Sequence, residues 1–217
     1  TVYLRLQFAA IFMLLLGLAS FNYIVDPYGI YSPDNSYGFS KNKTEFFLKE
    51  PMIKPYRVSD MKPDTVILGM SGAGLGYDEK HPHFSDKSIY NFSMAGASMY
   101  MIYRAFQHAI IESELKSVFF DLSMVSFNEY DAFVIRNDDN VVGEIFEGLI
   151  AANEDSSKNW LAILRPIRHI PQFLLSSQVT MDSLSTLKRQ GANDGWNLNS
   201  RGGWRGATLA PGQSQRK

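Results

Sequence analysis

Residues 6–25 constrain the fold of this chain more than any other segment, because 20 consecutive residues there carry no charge. At about 1.5 Å per residue, a helix of that length matches the roughly 30 Å hydrocarbon layer of a bilayer. Its apolar side chains would surround the helix instead of forming a stripe, so a buried core helix is a poor interpretation. Arg5 before the segment and Asp26 after it favour an N-terminus inside. We expect residues 1–25 to be a single-pass membrane anchor with the bulk of the chain extracytoplasmic, which is the periplasm if the cell is Gram-negative.

A cleavable signal peptide is the alternative interpretation of this segment, since the sequence from Gly17 to Ala19 offers small residues at plausible cleavage positions. Both interpretations export the domain. The chain has no Cys, which excludes a disulfide framework and Cys-ligated metal sites but does not fix the compartment. With 21 Lys and Arg against 22 Asp and Glu, the charge gives no reason to expect a nucleic-acid partner.

The composition divides the rest of the chain into three parts. Residues 26–61 are a juxtamembrane connector, in which turn-forming residues are followed by a weakly helical stretch with breaks at Pro51 and Pro55. Residues 62–190 have the apolar patterning of a folded domain. Residues 191–217 are rich in Gly and poor in aliphatic residues, so we interpret them as a tail that adds nothing to the core.

Three apolar runs in the domain predict strands, at residues 65–68, 88–92 and 117–122. Between the second and third, apolar residues recur every four positions from Met101 to Ile110, which predicts an amphipathic helix with His108 on its solvated face. Strand, helix and strand in this order make a βαβ unit. The sequence therefore predicts an α/β domain with a short parallel sheet of about three strands, and residues 129–190 show helical stretches but no convincing further strand.

The first predicted strand runs into a Gly-rich segment, residues 69–76, that contains Ser71. Ligands bind beyond the carboxyl ends of the strands in open α/β sheets, so this segment is the first candidate for a site. A dinucleotide cradle does not fit, because Tyr77 stands where the third Gly of that motif belongs. A nucleophilic Ser with an oxyanion hole and a Gly-rich turn that merely connects two elements both fit, and spacing alone leaves the two open.

Five short stretches carry a further signal: residues 22–29 directly after the anchor, then 67–71 (Ile-Leu-Gly-Met-Ser), 76–78 (Gly-Tyr-Asp), 90–98 (Tyr-Asn-Phe-Ser-Met-Ala-Gly-Ala-Ser) and 119–128. Together they resemble the membrane-anchored branch of the SGNH (GDSL-like) hydrolase superfamily. The resemblance implies a flavodoxin-like three-layer domain, of which residues 62–190 would be the N-terminal part. It also implies a serine esterase or O-acyltransferase that acts on acyl esters of the cell envelope.

The resemblance assigns roles to individual residues. Ser71 matches the nucleophile, although a Met precedes it where the family usually has Asp. Gly96 matches the Gly whose backbone N–H completes the oxyanion hole. Asn128 is the nearest candidate for the Asn that the third block normally adds to that hole, and it lies several residues beyond the strand end. Asn91 and Asp121 are weaker options for the same role.

The family takes its catalytic base from an Asp-x-x-His near the C-terminus, and no His here stands out as that base. His81 completes a literal Asp-x-x-His but lies only ten residues after Ser71, so we interpret it as part of a surface loop. His83 and His169 are interpreted as loop residues too. A truncated chain would explain the missing base, the few strands and the Gly-rich end, and we expect this sequence to be inactive by itself.

The expected partners are the lipid bilayer and, from the resemblance, envelope polysaccharide. We expect no cofactor, metal or nucleic acid. The alternative function comes from a different class: a non-catalytic envelope protein that uses the same cleft to bind glycan or to assemble with another protein.

Overall fold

The computed structural model describes residues 2–31, 43, 49–79, 81–127 and 140–190, together with residues 197–198 and 204–205. Asn128 and most of the predicted tail lie outside these residues. The described part of the chain contains seven α-helices, a three-stranded parallel sheet and a separate antiparallel pair of two-residue strands. The α/β class is therefore confirmed.

The helices are α1 (Val2–Val25), α2 (Glu50–Met61), α3 (Ser71–Gly76), α4 (Met99–Glu112), α5 (Asn140–Leu149), α6 (Arg165–Leu174) and α7 (Ser177–Lys188). The sheet consists of β1 (Thr65–Leu68), β2 (Ile89–Asn91) and β3 (Ser117–Phe120), while β4 (Asn197–Leu198) and β5 (Trp204–Arg205) form the separate pair. Short 3-10 helices lie at Pro82–Phe84, Met124–Phe127 and Trp160–Leu164.

The parallel sheet has β1 in the middle, with β2 and β3 as its neighbours. In the register, Val66 lies opposite both Tyr90 and Val118. Every residue of β1 is buried, which explains why this strand reads as an unbroken apolar run in the sequence. The three predicted strands and the helix that connects the second to the third are confirmed, with bounds shifted by no more than two residues.

Helix α4 packs on the sheet through its predicted stripe, in which Met101, Ile102 and Ala105 join Val66 and Leu68 in the main core. The Ser98 side chain caps the start of this helix by accepting a hydrogen bond from the backbone N–H of Met101 at 3.3 Å. The apolar periodicity was thus sufficient to predict both the helix and its buried face.

The opposite face of α4 is also buried, so the prediction that His108 is solvated is wrong. His108 is fully buried, and its Nδ1 accepts a hydrogen bond from the backbone N–H of Ala151 at 2.9 Å. Its Nε2 lies 2.9 Å from the carbonyl of Pro55 and donates to it in the tautomer that this pattern requires. Arg104, one turn earlier, is buried against Glu147 at 2.9 Å. Helices α2 and α5 pack on this face. The sequence pattern of α4 does not show this burial, because the covering helices come from distant parts of the chain.

Helix α2 runs through both prolines that were predicted to break it. Pro51 stands in the first turn, where its missing N–H is not needed, and Pro55 lies inside the helix. The helix ends at Lys62, which has a left-handed backbone (φ 45°) and donates its N–H to the carbonyl of Val58 at 2.9 Å. Burial on all sides of its first half, from Glu50 to Pro55, holds α2 together despite the interior proline.

His169 was predicted to be a loop residue and is instead a buried residue of α6, stacked edge-on against Tyr56. Its Nδ1 lies 2.7 Å from the Gln172 side-chain oxygen. Trp160, in the short helix before α6, is 70% exposed and lies under the Lys158 ammonium group. Prolines on both sides of His169 favoured the loop interpretation, but one of them is accommodated in the first turn of the helix.

Helix α1 is long and apolar enough to cross a membrane, and it is the candidate span among the described residues. Asn22 and Val25, in its last turn, are its buried residues, whereas the rest of the helix presents apolar side chains to its surroundings. This burial pattern matches a helix that meets the domain at its C-terminal end and leaves the remainder for lipid.

Buried polar contacts join the end of α1 to the domain. The Asn22 amide donates to the carbonyl of Leu174 at 2.9 Å and to the Thr180 hydroxyl at 3.0 Å, and its oxygen accepts from Ser183 at 3.0 Å. The Lys43 ammonium donates to the carbonyl of Asp26 at 2.6 Å. The anchor helix and helices α6 and α7 therefore form one packed unit.

Candidate functional site at the carboxyl edge of the sheet

Ser71 lies where β1 ends, separated from the strand by Gly69 and Met70, and it is the first residue of α3. We call residues 69–72 the Ser71 loop. The loop approaches β3 closely: a Cβ at Gly69 would lie 2.8 Å from the Cβ of Asp121, so only glycine fits there. Ser71 is partly exposed, and its hydroxyl has no hydrogen-bond partner among the described residues.

A second loop follows β2 and lies beside the first. We call residues 93–97 the Gly96 turn. The backbone N–H of Met94 donates to the carbonyl of Gly69 at 3.1 Å, and the N–H of Ala97 closes the turn on Met94 at 3.2 Å. Gly96 has a left-handed backbone (φ 65°), which favours glycine at this position. The structure therefore brings together the two loops that hold the predicted nucleophile and the predicted oxyanion-hole glycine.

A buried ion pair in α2 forms hydrogen bonds to the backbone of the Gly96 turn. The Lys54 ammonium lies 2.9 Å from the Glu50 carboxylate, and both side chains are almost completely buried in α2. Glu50 accepts from the backbone N–H of Ala95 at 3.0 Å, and Lys54 donates to the carbonyl of Ser93. Burial lowers the pKa of Lys54, and the attraction of Glu50 opposes that shift. Each charge is thus matched by the other and by a backbone group of the turn.

Asn91 connects this turn to helix α3. Its amide nitrogen donates to the carbonyl of Ala73 at 3.0 Å and to the carboxylate of Glu79 at 2.9 Å. Its oxygen accepts from the Ser93 hydroxyl at 2.6 Å. Because both amide hydrogens are used, Asn91 has no donor left for a ligand and is a structural residue. Glu79 is buried as well, whereas Asp78 and His81 are exposed, as the surface-loop interpretation of His81 predicted.

Asp121 directly follows β3 and faces the Ser71 loop. A Cβ added at Gly72 would lie 3.2 Å from its carboxylate oxygen. An ionised carboxylate only accepts hydrogen bonds, so Asp121 cannot serve as an oxyanion donor. Its position suits a group that orients a donor near Ser71. Asn128, the first choice for the side-chain donor, lies outside the described residues.

No histidine is hydrogen-bonded to Ser71 within the part of the chain that the structure describes. His108 and His169 hold the buried contacts given above, while His81 and His83 are exposed, with the His81 ring accepting from the His83 N–H at 3.2 Å. The described residues also contain no group of three His, Asp or Glu side chains placed to hold a metal ion. The arrangement is that of a partly exposed serine in a loop that is hydrogen-bonded to the Gly96 turn.

Sequence reasoning missed the residues that fix these turns, namely Glu50, Lys54 and Glu79. The i, i+4 spacing of Glu50 and Lys54 was visible, but this spacing usually marks a solvated pair on a helix surface. Glu79 belonged to a stretch that matched a motif by coincidence. No feature of the sequence near these residues indicates that their charges are buried.

Comparisons of the chain with protein-family models, with curated proteins and with solved structures return no match. The geometry of the site and the resemblance of the five short stretches are therefore the two indications of function.

Proposed function

We propose that this chain carries the membrane anchor and the SGNH-like, flavodoxin-like domain of an exported, membrane-tethered serine esterase or O-acyltransferase. Its substrates are acyl esters of the cell envelope, such as O-acylated polysaccharide. The observation that carries the proposal is the position of Ser71: its hydroxyl is unpartnered among the described residues, at the carboxyl edge of a parallel sheet, beside a glycine turn that buried charges hold in place.

In the proposed mechanism, the Ser71 oxygen attacks the ester carbonyl and forms a tetrahedral intermediate. The backbone N–H groups of Ser71 and Gly96 donate to the resulting oxyanion, and the alcohol then leaves to give an acyl-serine. Water or an acceptor hydroxyl resolves that ester. N–H groups that are already in position stabilise an oxyanion without reorganisation. The ion pair beneath the Gly96 turn would hold the Gly96 N–H group in that position.

The proton acceptor for Ser71 is expected from a His outside this sequence, as the resemblance implies. The buried contacts of His108 and His169 commit both side chains to the packing of α2, α4, α5 and α6. An unactivated Ser hydroxyl is a poor nucleophile at neutral pH, so activity requires this residue.

The absence of a histidine next to Ser71 in the described residues favours the second candidate, a non-catalytic envelope protein that binds glycan at the same edge. That function needs the two turns and no base. It predicts equal binding of envelope polysaccharide to the unmodified protein and to a Ser71→Ala variant, with no ester turnover by either.

Ester turnover by the full-length protein separates the two candidates. We expect membranes with the complete reading frame to hydrolyse p-nitrophenyl acetate and Ser71→Ala to lower the rate by roughly a thousandfold or more. Ser85→Ala is the matched control, because Ser85 is an exposed serine in the next connection. Equal rates for the two variants would remove Ser71 from the mechanism.

A further inference from the structure

A cleft of about 330 Å³ opens beside the last turn of α1, a volume at the lower end of ligand-sized pockets. Its walls come from α1 (Tyr23), the segment after α1 (Ile30, Tyr31), α2 (Tyr56) and α6 (Ile170, Phe173). Asp60 also lines the cleft, and its carboxylate is already paired with Arg57 at 3.1 Å. The cleft is therefore mainly aromatic and aliphatic.

The position of this cleft relative to a bilayer is fixed by the way α1 joins the domain. Tyr23 is two residues from the end of α1, which places its Cα about 3 Å from that end along the helix axis. Asn22 forms hydrogen bonds to Leu174, at the end of α6, and to Thr180 and Ser183 on α7. These bonds hold the last turn of α1 against both helices. If α1 spans the membrane, the cleft lies at the level where the hydrocarbon ends.

Apart from Asp60, the residues that line the cleft are aromatic or aliphatic and suit an alkyl chain. Tyr23 and Tyr31 lie with ring centroids 5.0 Å apart, and Tyr56 meets Phe173 edge-on at 5.9 Å. Burial, together with the nearby negative charge of Asp26, raises the pKa of Tyr31 to about 12, so its phenol carries no charge at neutral pH. Tyrosines with an apolar ring and a polar tip are common at the membrane interface.

Apolar side chains are also exposed on the helices that meet at the end of α1. They are Ile24 on α1, Ile170 on α6, and Met181 and Leu184 on α7, each more than 40% exposed. Several such side chains close together mark a surface that contacts another apolar phase. The bilayer around α1 is the apolar phase that the chain itself brings next to this surface.

We propose that the cleft takes the apolar chain of a membrane lipid, which enters from the bilayer beside α1. The occupant is a lipid chain and not a free polar ligand, because the walls are aromatic, the single carboxylate is paired and the entrance lies next to the membrane span. This site is separate from the Ser71 loop and does not depend on the proposed esterase activity.

Photo-crosslinking tests this site with the full chain in lipid nanodiscs that contain a phosphatidylcholine with a diazirine near the end of one acyl chain. We expect adducts on Tyr31 and Tyr56, which lie outside the membrane span, in addition to adducts on α1. Ile170→Trp fills the cleft and should lower the Tyr31 and Tyr56 adducts by about tenfold, which corresponds to roughly 1.4 kcal/mol. Adducts on Leu14 of α1 serve as the internal standard.

Ile110→Trp is the matched control, since Ile110 is similarly exposed but lies on α4 and does not line the cleft. It should leave the Tyr31 and Tyr56 adducts unchanged, and thermal unfolding should show that both variants remain folded. Adducts confined to α1, equal losses in the two variants, or stronger labelling of the cleft by a headgroup diazirine than by the chain-end diazirine would each overturn the proposal.

Discussion

The Ser71 loop and the Gly96 turn lie side by side at the carboxyl edge of the sheet, joined by the hydrogen bond from Met94 to Gly69. The Gly96 turn is held by two buried charges and the Asn91 amide, and its Ser93 and Met94 are fully buried. The Ser71 hydroxyl has no such partner in the described residues. The difference is that buried contacts fix the turn proposed to bind an oxyanion, whereas the hydroxyl of the proposed nucleophile makes no hydrogen bond to the described residues. Substitutions should therefore affect stability strongly on one side and weakly on the other.

The largest effect is expected at the buried ion pair. Lys54→Met leaves the Glu50 carboxylate buried without its counter-charge, which should lower the free energy of unfolding by about 3–5 kcal/mol. Denaturant unfolding of the detergent-solubilised chain, followed by tryptophan fluorescence, measures this loss. The double variant Glu50→Leu/Lys54→Met removes both charges and should recover most of the stability. A double variant as unstable as the single one would show that the pair does not act as a unit.

A smaller loss is expected when the link between the turn and helix α3 is cut. Asn91→Leu keeps the size of the side chain but leaves the Ala73 carbonyl and the Ser93 hydroxyl without its hydrogen bonds. We expect a loss of about 2–3 kcal/mol in the same unfolding experiment, because each unsatisfied buried group costs about 1–3 kcal/mol. Stability within 0.5 kcal/mol of the unmodified chain would contradict the network as described.

Gly96→Ala tests the backbone of the turn itself. A side chain in the left-handed region costs about 1–2 kcal/mol, so this variant should lose that amount. Gly76→Ala is the matched control, because a Cβ at Gly76 meets no other atom within 4 Å and its φ is not positive. Equal losses in the two variants would indicate a general glycine effect instead of strain in the Gly96 turn.

The smallest effect on stability is expected at Ser71, the proposed nucleophile. Ser71 is partly exposed with no hydrogen-bond partner among the described residues, so Ser71→Ala should change the free energy of unfolding by less than about 0.5 kcal/mol. A loss above 1 kcal/mol would reveal a structural role for the hydroxyl. It would also weaken the contrast between the two loops.

The sequence was a good guide wherever local patterning determines the structure. The run from Thr65 to Leu68 predicted β1, and the four-residue period from Met101 predicted α4 and its core face. Both patterns arise because the residues buried in the core recur along the chain with the period of the strand or helix that carries them. The positions of Ser71 and Gly96 beyond the strand ends followed from the same strands.

The sequence was a poor guide wherever burial comes from distant parts of the chain. His108 is off the core stripe of α4, yet α2 and the segment around Ala151 cover it. Lys54 and Glu50 have the spacing of a surface pair but lie beneath the turn at Ala95. These long-range contacts leave no mark in local periodicity, so the part of the site that holds the Gly96 turn could not be predicted.

Labelling with a fluorophosphonate probe tests the central claim most directly, since the probe forms a stable adduct only with an activated serine. The experiment uses the protein expressed from its complete reading frame, and peptide mass spectrometry locates the adduct. Our account predicts one adduct, on Ser71, that is absent from Ser71→Ala and retained in the Ser85→Ala control. No adduct on Ser71, or equal labelling of the unmodified protein and Ser71→Ala, would contradict it.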